Sequence, residues 1–285
     1  MNRILEKKKL SDEVYQIKVS SPLIASARKP GQFIILQTSD DAERIPLTIA
    51  DADDSEGSII LIFQTVGKST HVLAGLNEGD IIPHLVGPLG RPTHIEKFGR
   101  VVCVGGGVGV APLYPIAKGM KDAGNDVTVI LGARNRDLVI FEDRMKAISE
   151  KVIICTDDGS YGLKGVVTVP LKELCEKEPR PDMVVAIGPP IMMKFCAETT
   201  RPFQIPTLVS LNTIMIDGTG MCGSSRITVG GKTKFVCVDG PEFDGHKVDF
   251  DNVIQRLGSY RDFEKKAHDQ CHLDLKIKKL EDESR

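Results

Sequence analysis

Apolar positions along the first third of the chain fall in short runs, VYQIKVS, QFIILQT, SIILIFQT and DIIPHLV, separated by Pro-Gly, Asp-Asp and Glu-Gly pairs. Runs of this length between turn-forming pairs predict strands, and their close spacing predicts a small antiparallel barrel over residues 1–96. From residue 97 the pattern changes to strand, glycine-rich turn and helix: RVVCVGGG, APLYPIAKGMKDAG, DVTVILGA, FEDRMKAISE and KVIICTDDG, then VTVPLKELCEK and DMVVAIGPPIMMKFCAETT. This alternation predicts a parallel sheet covered by helices over 97–202. From 203 the helix signals give way to LVSLNTIMIDGTGMCGSSRITVGGKTKFVCVDGPEF, where glycines crowd around two cysteines, and the last 40 or so residues read as short charged helices. The reading is therefore a multidomain β plus α/β chain with a small C-terminal module (203–285), and no low-complexity linker separates the parts.

Composition narrows the function. With 41% hydrophobic and 27% charged residues the chain has the balance of an ordinary globular protein, and a formal net charge of -2 offers no field to hold nucleic acid or an anionic membrane surface. No apolar run reaches the length of a membrane span, and the start, MNRILEKKKL, lacks the apolar stretch of a signal peptide. The seven cysteines are odd in number and partly embedded in apolar runs, unlike a disulfide framework. A cytoplasmic protein with mostly buried thiols is the expectation. Cys271 and His272, in the charged tail, read as incidental.

Gly105, Gly106, Gly107 and Gly109 directly follow a hydrophobic strand and precede a helix. Glycines there let backbone amides approach a phosphate at the positive end of the helix, although the same turn also reads as a tight strand-helix connection. Position 110 is valine, so GxGxxG is not satisfied, and the second strand ends Gly132, Ala133, Arg134 without an acidic residue. Two more turns, TDDGSYGLKG and AIGPPIMM, follow apolar strands and fall on the same carboxyl edge of the sheet, where ligands bind in open α/β folds. There Asp157 or Asp158, beside Gly159, is placed to accept ribose hydroxyls, and Gly188 and Pro189 leave room for a nicotinamide ring. NAD(H) is favoured because carboxylates repel an added phosphate; NADP(H) stays open because Arg134 and Arg136 are available to a 2'-phosphate. In the barrel, ERIPLTIAD supplies a cation, Arg44, near a hydroxyl, Thr48, and FQTVGKSTHVL supplies Gly67, Lys68, Ser69 and Thr70, small donors suited to a diphosphate. Taken singly, each also reads as structural.

The barrel, then a GxGxAP turn (Gly107, Gly109, Ala111, Pro112), then a GPxxM-like segment (Gly188, Pro189, Met192) resembles the ferredoxin-NADP reductase superfamily. Within it, nearly the whole chain is similar to the electron-transfer subunits of class 1B dihydroorotate dehydrogenase and, more closely, to the small subunits of NADH-dependent ferredoxin:NADP oxidoreductase, also described as sulfide dehydrogenase. The resemblance implies that Arg44, Pro46, Leu47, Thr48 and Ile49 hold the ring and diphosphate of FAD, that Ile62, Phe63 and Gln64 flank the flavin, and that Ser69 and Thr70 bind its phosphate. The family motif R-x-[YF]-[ST] is altered here, since Arg44 stands four residues before Thr48 and Pro46 with Leu47 replaces the aromatic.

Asp217, Cys222, Ser225 and Cys237 occupy the positions of a C-x4-C-x2-C…C pattern, the plant-type spacing for a [2Fe-2S] cluster. Two cysteines and an aspartate alone also suit a zinc site. The resemblance implies aspartate in the first ligand position and cysteine in the other three, so Asp217 conforms and Ser225 departs. Hydride exchange between NAD(H) and FAD, one-electron exchange with the cluster, and a larger flavin and iron-sulfur partner subunit, with ferredoxin as an indirect partner, are what the resemblance implies. A non-catalytic module that holds flavin and dinucleotide is the rival from another class.

Overall fold

The computed structural model describes residues 2–270; Cys271 and His272 lie outside them. The first sheet contains β1 (Asn2–Lys9), β2 (Val14–Ser20), β3 (Phe33–Gln37), β4 (Ile45–Asp53), β5 (Ser58–Gln64), β6 (Ile81–Ile82) and β7 (His84–Leu89), with α1 (Pro22–Ala27) and α2 (Lys68–Gly75) in its connections. Strand order is β6-β1-β2-β5-β4-β3-β7, antiparallel throughout. Only Pro83 separates the two edge strands β6 and β7, so the sheet curls until its edges meet as a nearly closed barrel. Its interior is filled by Ile4, Ile17, Val19, Ile34, Leu36, Ile49, Ile59, Leu61 and Phe63. Strand β1 has no counterpart in the sequence reading: of NRILEKKK only Ile4 is buried, and one inward side chain leaves no periodic signal.

The second sheet follows from β8 (Arg100–Gly106), α3 (Val110–Asp122), β9 (Asp126–Ala133), α4 (Glu142–Ile148), β10 (Lys151–Thr156), β11 (Leu163–Lys164), α5 (Thr168–Glu176), β12 (Met183–Ile187), α6 (Pro190–Thr200) and β13 (Thr207–Ser210). These strands pair in parallel, and β12 is buried at all five positions, as expected for a strand covered by helices on both faces. The sheet continues past residue 202 through β13. The remaining segment forms a hairpin of β14 (Arg226–Val229) and β15 (Lys232–Phe235), then α7 (Val236–Asp239), β16 (Glu242–Asp244) and α8 (Phe250–Leu257). Strand β16 joins β13 antiparallel, giving the order β11-β10-β9-β8-β12-β13-β16.

The three parts are fastened at one seam. The Arg91 amide donates to Gly240 O at 2.6 Å and the Thr93 amide to Pro30 O at 2.9 Å. Thr93 Oγ1 donates to Glu242 Oε1 at 2.7 Å. One hydrophobic cluster includes Phe33 and Ile35 of the barrel, Val104 and Ala186 of the sheet, and Ile227 and Cys237 of the last segment. No helix among the described residues is long and apolar enough to cross a membrane.

Candidate functional site

Strands β8 and β12 are neighbours at the centre of the sheet, but the chain leaves β8 toward β9 and leaves β12 toward β13. Connections that diverge to opposite sides open a crevice at the carboxyl ends of the two strands. The turns there pack backbone to backbone: a Cβ on Gly109 would stand 2.6 Å from Ile187 O and 2.9 Å from Gly188 Cα. Met192 packs against the same turn, its Sδ occupying the space a Gly106 Cβ would need. Above them lies a cleft of about 390 Å³, within the range of small-molecule and cofactor sites. The barrel lines it with Phe33, Pro46, Thr48, Ile62 and Gln64; the sheet with Gly106, Gly107, Gly109, Pro112, Gly188 and Pro189; the last segment with Met215 and Pro241.

Strand periodicity sorts the barrel candidates. Alternate side chains point to opposite faces, so Pro46, Thr48, Ile62 and Gln64 reach the cleft. Ile49 and Phe63, each 1% exposed, face the barrel core, and Leu47 packs against that core. These three are not brought to the cleft. Arg44 is exposed and precedes β4 rather than lying on it. Ser69 Oγ donates to Glu43 Oε2 at 2.5 Å, which ties the start of α2 to the segment carrying Arg44. Thr70 Oγ1 accepts from the amides of Val66 and Gly67, both at 3.1 Å. Lys68 is exposed. Arg44 and the Gly67–Thr70 group therefore form a polar patch on the barrel, outside the cleft lining.

On the sheet, Gly105 and Ala111 are buried, and Ala111 faces the core rather than the cleft. The amides of Asp157 and Asp158 donate to Ala133 O (3.1 Å) and Arg134 O (3.3 Å), which joins the ends of β9, after Gly132, and β10. Asp157, Asp158 and Gly159 are exposed and lie outside the cleft lining. Asp158 Oδ1 accepts from the Ser160 hydroxyl at 2.7 Å and amide at 2.9 Å, and these bonds hold its carboxyl below the usual range. Glu13 connects the two sides: its Oε2 accepts from Gln64 Nε2 at 2.9 Å and from Arg134 Nη2 at 3.2 Å. Nothing in the sequence pattern singled out Glu13. Met215 and Pro241 also lacked a motif, because their place in the cleft depends on how the three parts pack.

The loop from Asp217 to Ser225 follows β13 and packs against the barrel at Gly218, whose φ of +75° suits glycine and whose missing Cβ would meet Leu89 Cδ1 at 2.6 Å. Asp217 Oδ1 accepts from the amides of Thr219 (2.9 Å) and Gly220 (3.2 Å), and Oδ2 from that of Cys222 (2.7 Å). The Thr219 amide foremost, then those of Cys222 and Gly220, draw this carboxyl below its ordinary value. The four candidate donors lie as two pairs, Asp217 with Cys222 and Ser225 with Cys237. Cys222 is exposed, with Sγ 2.9 Å from Ser224 Oγ; Ser225 is 1% exposed, and its Oγ donates to Cys237 Sγ at 3.1 Å. Among the described residues no three His, Cys, Asp or Glu side chains converge as a metal site; Asp217 is turned to the amides of its own loop, and the third position of the pattern is a serine. The donor chemistry nevertheless suits an iron-sulfur group: two thiols, a serine oxygen and a carboxylate whose Oδ2, holding a single amide, keeps a lone pair.

A barrel and a parallel sheet sharing a cleft at the sheet's switch point, with a cysteine loop packed beside them, define an oxidoreductase subunit of the ferredoxin-reductase fold. Residues 103–198 match the oxidoreductase NAD-binding domain, and residues 212–249 match the iron-sulfur cluster binding domain of dihydroorotate dehydrogenase B. The chain is 49% identical to a dihydroorotate dehydrogenase B (NAD(+)) electron transfer subunit homolog of Thermotoga maritima over 95% of both chains. It is 38% identical to a probable electron transfer subunit of Methanocaldococcus jannaschii over 82% of this chain and 84% of that one. Among solved structures, that of an NADH-dependent reduced ferredoxin-NADP oxidoreductase, described for its insight into flavin-based electron bifurcation, matches with a TM-score of 0.90 and 48% identity over 95% of this chain and 97% of that one. The chain belongs to the family of dihydroorotate dehydrogenase B electron transfer subunits and their homologues.

Proposed function

We propose that the chain is the electron-transfer subunit of a heteromeric, cytoplasmic NADH-dependent ferredoxin:NADP oxidoreductase, exchanging electrons between NAD(H) and a [2Fe-2S] cluster through FAD. The observation that carries this reading is the single cleft walled by barrel, nucleotide-domain turns and iron-sulfur segment together. Bound flavin supplies the exchange between a two-electron hydride carrier and a one-electron cluster. The chain's own residues supply position. Thr48 and Gln64 present polar atoms from the barrel wall, while Phe33 and Ile62 keep that wall apolar and exclude water. Gly106, Gly107 and Gly109 let backbone approach a dinucleotide at the start of α3, and Gly188 with Pro189 leaves space beside the cleft. Arg44, Ser69 and Thr70 suit the flavin diphosphate, and Asp157 and Asp158 the adenosine ribose.

A second reading, the electron-transfer subunit of an NAD-dependent dihydroorotate dehydrogenase, is favoured by the family description of residues 212–249. Asp217 weighs against it, because four cysteines are the pattern of that subunit. Anaerobic affinity purification from the native cell separates them. A larger flavin and iron-sulfur subunit that co-purifies and reduces NADP from NADH and reduced ferredoxin supports the first; a complex whose flavin is bleached by dihydroorotate supports the second. Purified chain without flavin refutes both.

A further inference from the structure

We propose that Ser225 Oγ is a protein donor to the iron-sulfur cluster, so that two oxygens, from Asp217 and Ser225, and two sulfurs, from Cys222 and Cys237, hold it. This rests on the functional reading above and goes beyond it, because a serine stands where the ligand pattern calls for a thiolate.

Two adjacent serines compete for the role, and the fold separates them. Ser224 makes a contact two residues back along its own loop, to Cys222 Sγ at 2.9 Å. Ser225 is 1% exposed, and its Oγ lies 3.1 Å from the Sγ of Cys237, twelve residues away on α7. The 3.1 Å separation is one that two donors of a single tetrahedral ion, roughly 3 to 4 Å apart, take up with little movement. Backbone holds both partners: the Val236 amide donates to Ser225 O at 3.0 Å, and the Cys237 amide approaches Ser225 Oγ at 3.4 Å. The hairpin of β14 and β15 sets this register, with Arg226 opposite Phe235. No other cysteine among the described residues is available to substitute: Cys103, Cys155, Cys175 and Cys196 are buried in the α/β sheet and helices.

Ligation forms an Oγ–Fe bond and breaks the Oγ–H bond, with the proton passing to solvent and no electron exchanged. Each donor pair then contains one oxygen and one sulfur. Oxygen is a harder donor than thiolate and favours the ferric state, so the chain holds its cluster at a lower reduction potential than a Ser225→Cys variant does.

The test uses the FAD-bound chain purified anaerobically, with S225A, S225C and S224A beside the wild type. Iron and acid-labile sulfide per flavin, EPR of the dithionite-reduced protein and the cluster midpoint potential are measured, and flavin content reports folding. The expected result is loss of iron and of the cluster signal in S225A with flavin retained, wild-type iron content in S224A, and a cluster of raised midpoint potential in S225C. S225A with wild-type iron and an unchanged EPR signal overturns the proposal, as does loss of iron in S224A alone. Wild type that lacks iron while S225C binds it also overturns the proposal but leaves the functional reading intact. Absence of flavin bleaching by NADH in every variant instead defeats the functional reading.

Discussion

Gly109→Ala probes the contact on which the cleft depends. The backbone itself is permissive, since Gly109 has φ of -62° and ψ of -12°, and replacing glycine at such a position stabilises by about 0.4–1 kcal/mol through the unfolded chain. The added Cβ, however, would lie 2.6 Å from Ile187 O and 2.9 Å from Gly188 Cα, and neither atom belongs to a flexible side chain. Overpacking of this kind costs roughly 1–3 kcal/mol. The clash exceeds the entropic gain, and a net loss of about 1–2 kcal/mol is expected, or roughly 2–8 °C in Tm for a chain of this size. Relief requires the turns after β8 and β12 to separate, so the KM for NADH should rise more than kcat falls. Gly75→Ala is the control: Gly75 is the last residue of α2 with nothing within 4 Å of its Cβ position, and alanine there should be neutral or slightly stabilising. Calorimetry of the flavin-loaded protein and NADH saturation curves are the assays. A Gly109→Ala protein with wild-type Tm and KM refutes the close approach of the two turns.

Other residues give independent tests. Burial pushes the Glu242 carboxyl up from 4.5 to about 7 despite its bond from Thr93, so the folded state favours the protonated acid: its stabilisation is complete below pH 4.5 and is lost as pH rises through about 7. Denaturation midpoints should fall across that window in the wild type and stay flatter in Glu242→Gln. Asp217→Ala leaves three loop amides without their acceptor and should empty the iron-sulfur loop, read as lost iron with flavin retained. Glu13→Gln should change stability by less than about 1 kcal/mol, because the side chains of Glu13 and Arg134 are 50% and 67% exposed, as chemical denaturation will show. In iron-free protein, brief alkylation at pH 8 followed by mass spectrometry should find Cys222 modified but not Cys103 or Cys196, whose thiols burial pushes up to about 12.

Much of the architecture was legible because each part carries its own periodicity. Turn-separated strands marked the barrel, and strand-turn-helix steps marked the sheet. The three glycine-bearing turns fall at strand ends as the pattern predicts: Gly107 follows β8, the turn at 157–159 follows β10, and Gly188 follows β12. What the sequence did not convey depends on long-range packing. Strand β1 buries a single apolar side chain, and β16 joins the sheet only after the chain has made a separate hairpin. The pleat splits each motif stretch between two faces: Thr48 and Gln64 reach the cleft while Ile49 and Phe63 face the barrel core. Glu13, Met215 and Pro241 matter through their neighbours in space, for which spacing along the chain has no signature. In the iron-sulfur segment the spacing named Asp217, Cys222, Ser225 and Cys237, but only the fold showed that Ser225 faces Cys237 and that Asp217 organises its own loop.

Anaerobic titration of the purified complex with NADH, followed by flavin absorbance and by EPR on samples frozen along the series, tests the electron path most directly. Bleaching of the flavin band as NADH is added, with a reduced-cluster EPR signal growing in step, is the expected result. Flavin absorbance unchanged by either NADH or NADPH would contradict it.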